Sequence, residues 1–232
     1  MFDKLNIDLY NVYCYRFIMN SKISLVIPVF NESSEIDNFF NDLKSCDFDL
    51  INEIIFIDDC STDNSYQFLE KKIHEFKIEK YKINFILLKN LKNRGYGFSI
   101  KKGVEKSNND SLAIIDLDRT YKINDLNDIS NQFINDYQFK YDLISGERNI
   151  NSSNTSKLKI LGKSIINFIT NFCFNEKIID YNSGLRVFNK SKFTKHSHMM
   201  SDRFSLTTSM TITFLNENYE IKFHKIQYDE RT

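Results

Sequence analysis

The alternation of short apolar runs with helical patterns is the feature of this sequence that most limits its fold. Between the apolar runs, residues such as Ile36, Phe39, Phe40 and Leu43 recur at the spacing of an amphipathic helix. Four runs rich in β-branched residues read as buried strands: KISLVIPVF at 22–30, EIIFI at 53–57, INFILL at 83–88 and LAII at 112–115. This order predicts right-handed β-α-β units and a mostly parallel central sheet with helices on both faces. We therefore predict a single Rossmann-like α/β domain.

Polar residues mark where the predicted helices begin. The serines of NESS, at 31–34, precede the first helix and are expected to cap it. Thr62 or Asp63 is expected to open the second helix, and the segment GYGFSIKKGVEKS is expected to form the third.

Acidic residues follow three of the predicted strands. Their positions after the first, second and fourth strands are Glu32, Asp58 and Asp59, and Asp116 and Asp118. Ligands of open parallel sheets bind beyond the carboxyl ends of the strands, so these carboxylates are expected to converge. Converging carboxylates repel one another unless a cation lies among them. On extended chain Asp116 and Asp118 would point the same way, and they predict a site for Mg²⁺ or Mn²⁺ beside a substrate phosphate.

The composition limits which kinds of partner this protein could bind and which cellular compartment suits it. The 31 basic and 31 acidic residues balance, so no global field favours a nucleic-acid partner. The four cysteines form no C-x-x-C pair, which suits a reducing compartment and argues against a zinc site. No apolar run reaches the roughly 20 residues of a membrane span, and the first residues do not resemble a signal peptide. We expect a cytoplasmic protein, with peripheral contact to the cytoplasmic face of the membrane left open.

Six segments occur in an order and at spacings that resemble family 2 glycosyltransferases with the GT-A fold. They are SLVIPVFNE, EIIFIDDCSTD, NRGYGFSIKKGVEKS, IIDLDRTY, LISGERN and DYNSGLRVF. The segments NRGYG and DYNSGLR make the dolichol- and polyprenyl-phosphate sugar transferases the most similar subgroup. The resemblance covers residues 22–231, so it implies a GT-A domain at 21–232 after a variable extension at 1–20.

The resemblance also implies roles for individual residues. Asp116 and Asp118 would hold the divalent metal, and Asp118 and Arg186 would act in catalysis. Arg148 and Arg186 would face phosphates, for which bidentate guanidinium contacts are suited. The residues that it places around the donor nucleotide sugar are Pro28, Asn31, Glu32, Asp58, Gly95 and Gly97.

The implied reaction is transfer of a sugar, with inversion, from a UDP- or GDP-linked donor to a polyprenyl phosphate. Asp180 is a candidate catalytic residue, because many inverting transferases need a carboxylate base. A phosphate acceptor needs no base, since its second pKa is about 6, so Asp180 could instead position a ligand. The alternatives are a hydroxyl acceptor that requires such a base, or a catalytically silent nucleotide-binding module.

Two further segments bear on the acceptor. Residues 157–174 combine three lysines with a dense apolar surface, which fits either a helix in the membrane interface or a core helix. Residues 203–215 resemble a family helix near the active site, and their Ser and Thr side chains are expected to make local hydroxyl bonds. The sequence stops one residue after Arg231, where relatives continue into a further loop. That departure suggests a missing loop, a separate membrane partner or a truncated product.

Overall fold

The computed structural model describes residues 22–45, 49–78, 82–135, 140–148 and 180–229. The predicted extension at 1–20, the basic and apolar segment at 157–174, and Arg231 lie outside these residues.

Seven strands form one sheet in the described part of the chain. The order across the sheet is β3-β2-β1-β4-β6-β5-β7, and β6 is antiparallel to both of its neighbours while the other pairs are parallel. The strands are β1 (Ile23–Val29), β2 (Ile51–Asp58), β3 (Asn84–Lys89), β4 (Ser111–Ile114), β5 (Leu143–Arg148), β6 (Arg186–Asn189) and β7 (Ile221–Ile226). The predicted α/β architecture with a mostly parallel sheet is confirmed.

Helices cover both faces of this sheet. They are α1 (Ile36–Lys44), α2 (Ser65–Ile78), α3 (Tyr96–Lys106), α4 (Ile123–Asn135), α5 (Lys190–His196) and α6 (Leu206–Asn216), with a short 3₁₀ helix at Ser197–Met199. Along β2, Ile54 and Phe56 pack into a core with α1, α2 and α4, whereas Ile55 and Ile57 pack into a second core with α3 and α6. Burial on both faces explains why the strands are almost continuously apolar.

The first two helices begin differently from the prediction. Glu35 precedes α1 and makes no side-chain capping bond, so the expected serine cap is wrong. The backbone N–H of Ser33 instead donates to Asp63 Oδ2 at 3.1 Å. Asp63 also accepts from the backbone N–H of Ser65 at 2.9 Å, at the first residue of α2. A single carboxylate therefore ties the start of α2 to the turn that follows β1.

The antiparallel direction of β6 brings another chain segment to the functional edge of the sheet. Ile114, the last residue of β4, pairs with Arg186, the first residue of β6. The carboxyl end of β4 and the amino end of β6 therefore meet at one edge, together with the carboxyl ends of β1 and β2. Residues 180–185 reach the same place as residues 115–118 although they lie far away in sequence.

Candidate active site

A cavity of about 690 Å³ lies at this edge of the sheet, within the size range of small-molecule sites. Seven of the residues predicted for the site line it: Pro28, Asn31, Glu32, Gly95, Asp116, Asp118 and Arg148. Asp59, expected among the converging carboxylates, also lines it. So do residues for which the sequence predicts no role in the site, among them Tyr96, Asn182, Gly184, Arg203 and Phe204.

Asp116 and Asp118 lie side by side in a turn after β4. The strand ends at Ile114, and Leu117 and Asp118 lie in a turn, so the pair follows the strand and is not part of it. Asp116 Oδ1 is buried and has no hydrogen-bond partner. Burial, and next the charge of Asp118, raise the pKa of Asp116 to about 7. Asp118 Oδ1 accepts from Thr120 Oγ1 at 2.7 Å, which fixes its orientation.

This acidic pair fits a divalent cation. A cation would satisfy the unpaired Oδ1 of Asp116 and offset the repulsion between the two carboxylates. Among the residues that the structure describes, no group of three or more His, Cys, Asp or Glu side chains is placed to hold a metal ion. A bound diphosphate and water would supply further oxygen ligands, as is usual for Mg²⁺ at phosphate-transfer sites.

Gly184 and two tyrosines enclose Asp116. The backbone N–H of Gly184 donates to Tyr121 Oη at 2.7 Å. Tyr96 Oη is buried beside Asp116, and burial, then the nearby charge of Asp116, raise the pKa of Tyr96. Gly184 lies in the segment DYNSGLRVF, and no short stretch of sequence around it indicates a contact with Asp116.

Arg148 and Asp180 form a closely bonded ion pair at the wall of the cavity. Arg148 donates through Nε to Oδ2 at 2.7 Å and through Nη2 to Oδ1 at 2.9 Å, and its backbone N–H donates to Oδ2 at 3.1 Å. Burial alone would raise the pKa of Asp180, but these bonds and the charge of Arg148 hold it below its ordinary value. Asp180 is thus an ionised partner of Arg148, with little capacity to take up a proton.

Asn31 joins the ends of β1 and β2 beside the cavity. It has a positive φ of 57°, and its Oδ1 accepts from the backbone N–H of Thr62 at 2.8 Å. Its own N–H donates to Ser61 Oγ at 3.0 Å. The backbone of Glu32 is held in the same way, through Ser65 Oγ at 2.9 Å. These contacts fix the segment that the resemblance assigns to the nucleotide.

Asp59, rather than the predicted Asp58, faces the cavity. Asp59 accepts from Asn90 Nδ2 at 2.7 Å and from the backbone N–H groups of Arg94 and Gly95 at 2.8 and 2.6 Å. Asp58 is fully buried, does not line the cavity, and accepts from the backbone N–H of Ser61 at 3.3 Å. Both aspartates follow the second apolar run, and the expected convergence at this edge of the sheet holds for Asp59. The role that the resemblance gives to Asp58 stays a prediction.

The structure does not bring Gly97 or Arg186 to the cavity. A β-carbon on Gly97 would stand 2.2 Å from the backbone oxygen of Ser201, so this glycine lets α3 pack against residues 201–203.

Arg186 is fully buried, and burial lowers its pKa to about 10. It donates to the backbone oxygens of Tyr181 and Ser183, both at 2.8 Å. Arg186 therefore supports the 181–185 loop from beneath instead of facing a phosphate.

The start of α6 supplies side chains that the sequence reasoning did not assign to the cavity. Arg203, Phe204 and Thr207 line it, and Thr207 Oγ1 donates to Asn182 Oδ1 at 2.6 Å. The expected local hydroxyl bonds of this helix are present, since Ser209 Oγ donates to the backbone oxygen of Ser205 at 2.9 Å. The sequence signal for these side chains is the resemblance of residues 203–215 to a family helix near the active site.

The fold is that of the GT-A glycosyltransferases. Two crystal structures of glucosyl-3-phosphoglycerate synthase from Mycobacterium tuberculosis, both in complex with Mn²⁺ and UDP, match with TM-scores of 0.65 and 0.66. Their sequence identities are 14% and 13%, and the matches cover 92% of this chain and 74% and 72% of theirs.

A family model, Glycosyl transferase family 2, matches residues 24–197, so the chain belongs to this family and is a glycosyltransferase. A curated relative is the UDP-N-acetylglucosamine–dolichyl-phosphate N-acetylglucosaminyltransferase of Methanococcus voltae. It is 27% identical over an alignment of 208 residues, and the match covers 84% of this chain and 80% of that protein. Within the described ranges, no helix is long and apolar enough to cross a membrane.

Proposed function

We propose that this glycosyltransferase moves a sugar from a UDP-sugar to a polyprenyl phosphate with the help of Mg²⁺ or Mn²⁺. The observation that carries the proposal is that Asp116 and Asp180 differ in their hydrogen-bond partners. Asp116 has a buried, unpaired oxygen beside Asp118, whereas Asp180 is occupied by Arg148. The first pair suits a cation under a diphosphate, and the second does not suit a base that activates a hydroxyl.

The donor would bind between the end of β1 and the acidic pair. Pro28, Asn31 and Glu32 line that wall of the cavity, and Asp59 holds the backbone of Gly95 against it. A cation held by Asp116 and Asp118 would supply Lewis-acid neutralisation of the charge on the departing diphosphate. UDP is favoured over GDP because the relative from Methanococcus voltae uses a UDP-sugar.

The acceptor would supply its own nucleophile. An ionised phosphate oxygen attacks the anomeric carbon, the bond from that carbon to the donor diphosphate breaks, and the electron pair leaves with UDP. No proton has to be removed in this step, because the acceptor is already anionic near neutral pH. Arg148 lines the cavity and keeps its positive charge beside Asp180, so it would orient a phosphate group.

Calorimetry with UDP and GDP, each with and without Mn²⁺, tests the donor half of the proposal. We expect Mn²⁺-dependent binding of UDP, and we expect Asp118→Ala to abolish that dependence. Asp128→Ala is the matched control, because Asp128 is an exposed carboxylate on α4, away from the cavity lining. Failure of the folded wild type to bind either nucleotide would overturn the proposed donor site.

Transfer from a radiolabelled UDP-sugar, in detergent, tests the acceptor half. A polyprenyl phosphate should yield an organic-soluble product, whereas the corresponding polyprenol, which offers only a hydroxyl, should not. Transfer to the alcohol or to a sugar hydroxyl, with none to the phosphate, would instead favour the hydroxyl-acceptor alternative. If the protein binds UDP but transfers sugar to neither the phosphate nor a hydroxyl acceptor, the donor site is supported and the proposed class of acceptor is wrong.

A further inference from the structure

Apolar side chains are exposed around the opening of the cavity. Leu91 is 101% exposed and Phe204 is 83% exposed, the two largest values among the large hydrophobic residues of the described chain. Phe30 is 44% exposed, and both phenylalanines line the cavity as well as facing solvent. A single exposed leucine is ordinary, but a group of large apolar side chains around one opening indicates an interaction surface.

The loop that carries Leu91 lies at the same edge of the sheet as the cavity. It follows β3, and the backbone N–H of Asn90 donates to the backbone oxygen of Asp58 at 2.8 Å. The backbone oxygen of Leu91 accepts a weak bond from Cys60 Sγ at 3.8 Å. Further along the loop, the backbone of Arg94 is bound to Asp59, which lines the cavity. Leu91 therefore belongs to the surroundings of the opening, although its side chain does not line the cavity.

The same loop and the helix after it are strongly basic. Residues 89–106, from the last residue of β3 to the end of α3, contain six lysines and arginines and one acid, Glu105, in a chain whose overall charge is zero. Lys92 and Arg94 are exposed on either side of Asn93, and Arg203 adds a cation from the start of α6. The neighbouring Asp202 is compensated by Lys101, whose Nζ lies 2.7 Å from Asp202 Oδ1. Positive charge thus lies beside Leu91 and Phe204, whereas the acids Glu32, Asp59, Asp116 and Asp118 line the cavity itself.

We propose that the cavity rim, consisting of Phe30, Leu91, Lys92, Arg94 and Phe204, docks on an anionic phospholipid bilayer. Its apolar side chains would enter the boundary between headgroups and acyl chains, while its cations would stay among the lipid phosphates. Attraction of an anionic nucleotide sugar would account for the cations, but it gives no reason for a group of exposed apolar side chains, Phe30, Leu91 and Phe204. The charge pattern and the apolar tips together fit a membrane surface.

What this docking would achieve depends on the proposed function, transfer of a sugar to a polyprenyl phosphate. With the rim on the bilayer, the cavity opens toward the surface at which the phosphate of a polyprenyl phosphate lies. The donor, which is soluble in water, would have to be bound before docking or enter from the side.

Single-tryptophan variants test the docking directly, because the chain has no tryptophan of its own. Leu91→Trp is the test variant, and Met199→Trp is the control, since Met199 is 54% exposed but does not line the cavity and lies outside the basic loop. Vesicles of phosphatidylcholine with phosphatidylglycerol, with and without brominated acyl chains, are added to each protein. We expect a blue shift and quenching by bromine for Leu91→Trp alone.

Charge variants provide a second readout on the same vesicles. Lys92→Gln should weaken partitioning about fivefold, as expected for one cation near an anionic surface, and added salt should reduce this difference. Lys195→Gln, at an exposed lysine on α5, should leave partitioning unchanged. Equal bromine quenching at positions 91 and 199, or vesicle binding that is indifferent to Lys92, would overturn the docking surface. Detergent-based transfer to a polyprenyl phosphate would still succeed in that case, so the two proposals fail separately.

Discussion

Gly184 lies so close to Asp116 that a β-carbon at residue 184 would stand 2.3 Å from Asp116 Oδ2. No real side chain tolerates such a contact, and the atom that would have to move is a carboxylate oxygen in the candidate metal site. The glycine of the SGLR segment therefore sets the position of the acidic pair. Its role is steric and does not depend on a positive φ.

Gly184→Ala should therefore impair the metal site. We expect a 10- to 100-fold loss in Mn²⁺-dependent UDP affinity, the range seen when the groups that orient a metal ligand are changed. Gly146→Ala is the control, because its new methyl would meet Ile226 Cδ1 at 2.6 Å and Ser183 Oγ at 3.2 Å, and no carboxylate atom is among its three nearest neighbours. Calorimetry measures the affinity, and thermal unfolding shows whether both variants fold. An unchanged affinity in folded Gly184→Ala would contradict this reading of the contact.

Arg148 and Asp180 should behave as one unit in a double-mutant cycle. Removing either partner leaves a largely buried charge unpaired, so each single alanine variant should lose about 3–5 kcal/mol of stability. The double variant should lose clearly less than the sum, with a coupling of at least about 1 kcal/mol. Urea unfolding of the four proteins measures the coupling. Additive losses would show that the pair contributes little as a pair.

Arg186→Lys should not replace Arg186, despite the retained charge. An ammonium group cannot reach the two backbone oxygens and Thr211 Oγ1 that the planar guanidinium contacts, each at 2.8 Å. We expect a loss of about 2–4 kcal/mol in unfolding free energy and weaker UDP binding, because the loop at 181–185 is no longer held.

The neighbouring threonines provide a graded comparison for Arg186. Thr211→Val removes one of the three contacts and should lower stability by about 1 kcal/mol. Thr213→Val, at a buried threonine on the same helix that makes no contact with Arg186, should cost less. Wild-type stability and UDP binding in Arg186→Lys would mean that charge, and not the forked geometry, is what position 186 requires.

Glu53 should make a pH-dependent contribution to stability far from the cavity. It is 2% exposed and accepts bonds from Ser24, Asn84 and Asn108. Burial alone would raise the pKa of Glu53, but these bonds hold it below its ordinary value. Its stabilising effect is therefore complete above the unfolded pKa of about 4.3 and is lost as the pH falls through the lower folded pKa.

Glu53→Gln should lower the unfolding free energy by about 2 kcal/mol at pH 7, because the new amide places a donor opposite donors. The difference from wild type should shrink as the pH falls below about 4. Urea unfolding between pH 3 and pH 7 measures it. A difference that stays constant over that range would show that the charge of Glu53 is not what stabilises the contact.

The parallel part of the sheet and much of the cavity could be predicted because their signals are local. Continuous apolar runs specify strands buried on both faces, and the residues that follow β1 and β4 reach the cavity because parallel strands end at one edge. Thus Asn31, Glu32, Asp116 and Asp118 all line it, as expected. Their roles in binding remain predictions.

The positions of three other residues relative to the cavity depend on tertiary packing, which cannot be read from a short stretch of sequence. Asp58 and Asp59 are adjacent, so which carboxylate faces the cavity depends on the loop before α3 that Asp59 binds. Arg186 begins an antiparallel strand, and its burial depends on α6, which follows it in the chain. The burial of Gly97 likewise depends on residues 201–203. In each case the deciding contact is with a segment distant in sequence.

The ion pair of Arg148 and Asp180 has an evolutionary consequence. The described residues break off at Arg148 and resume at Asp180, and these two residues are bonded to each other. Because replacing either one alone leaves a largely buried charge unpaired, we expect positions 148 and 180 to change together among related transferases.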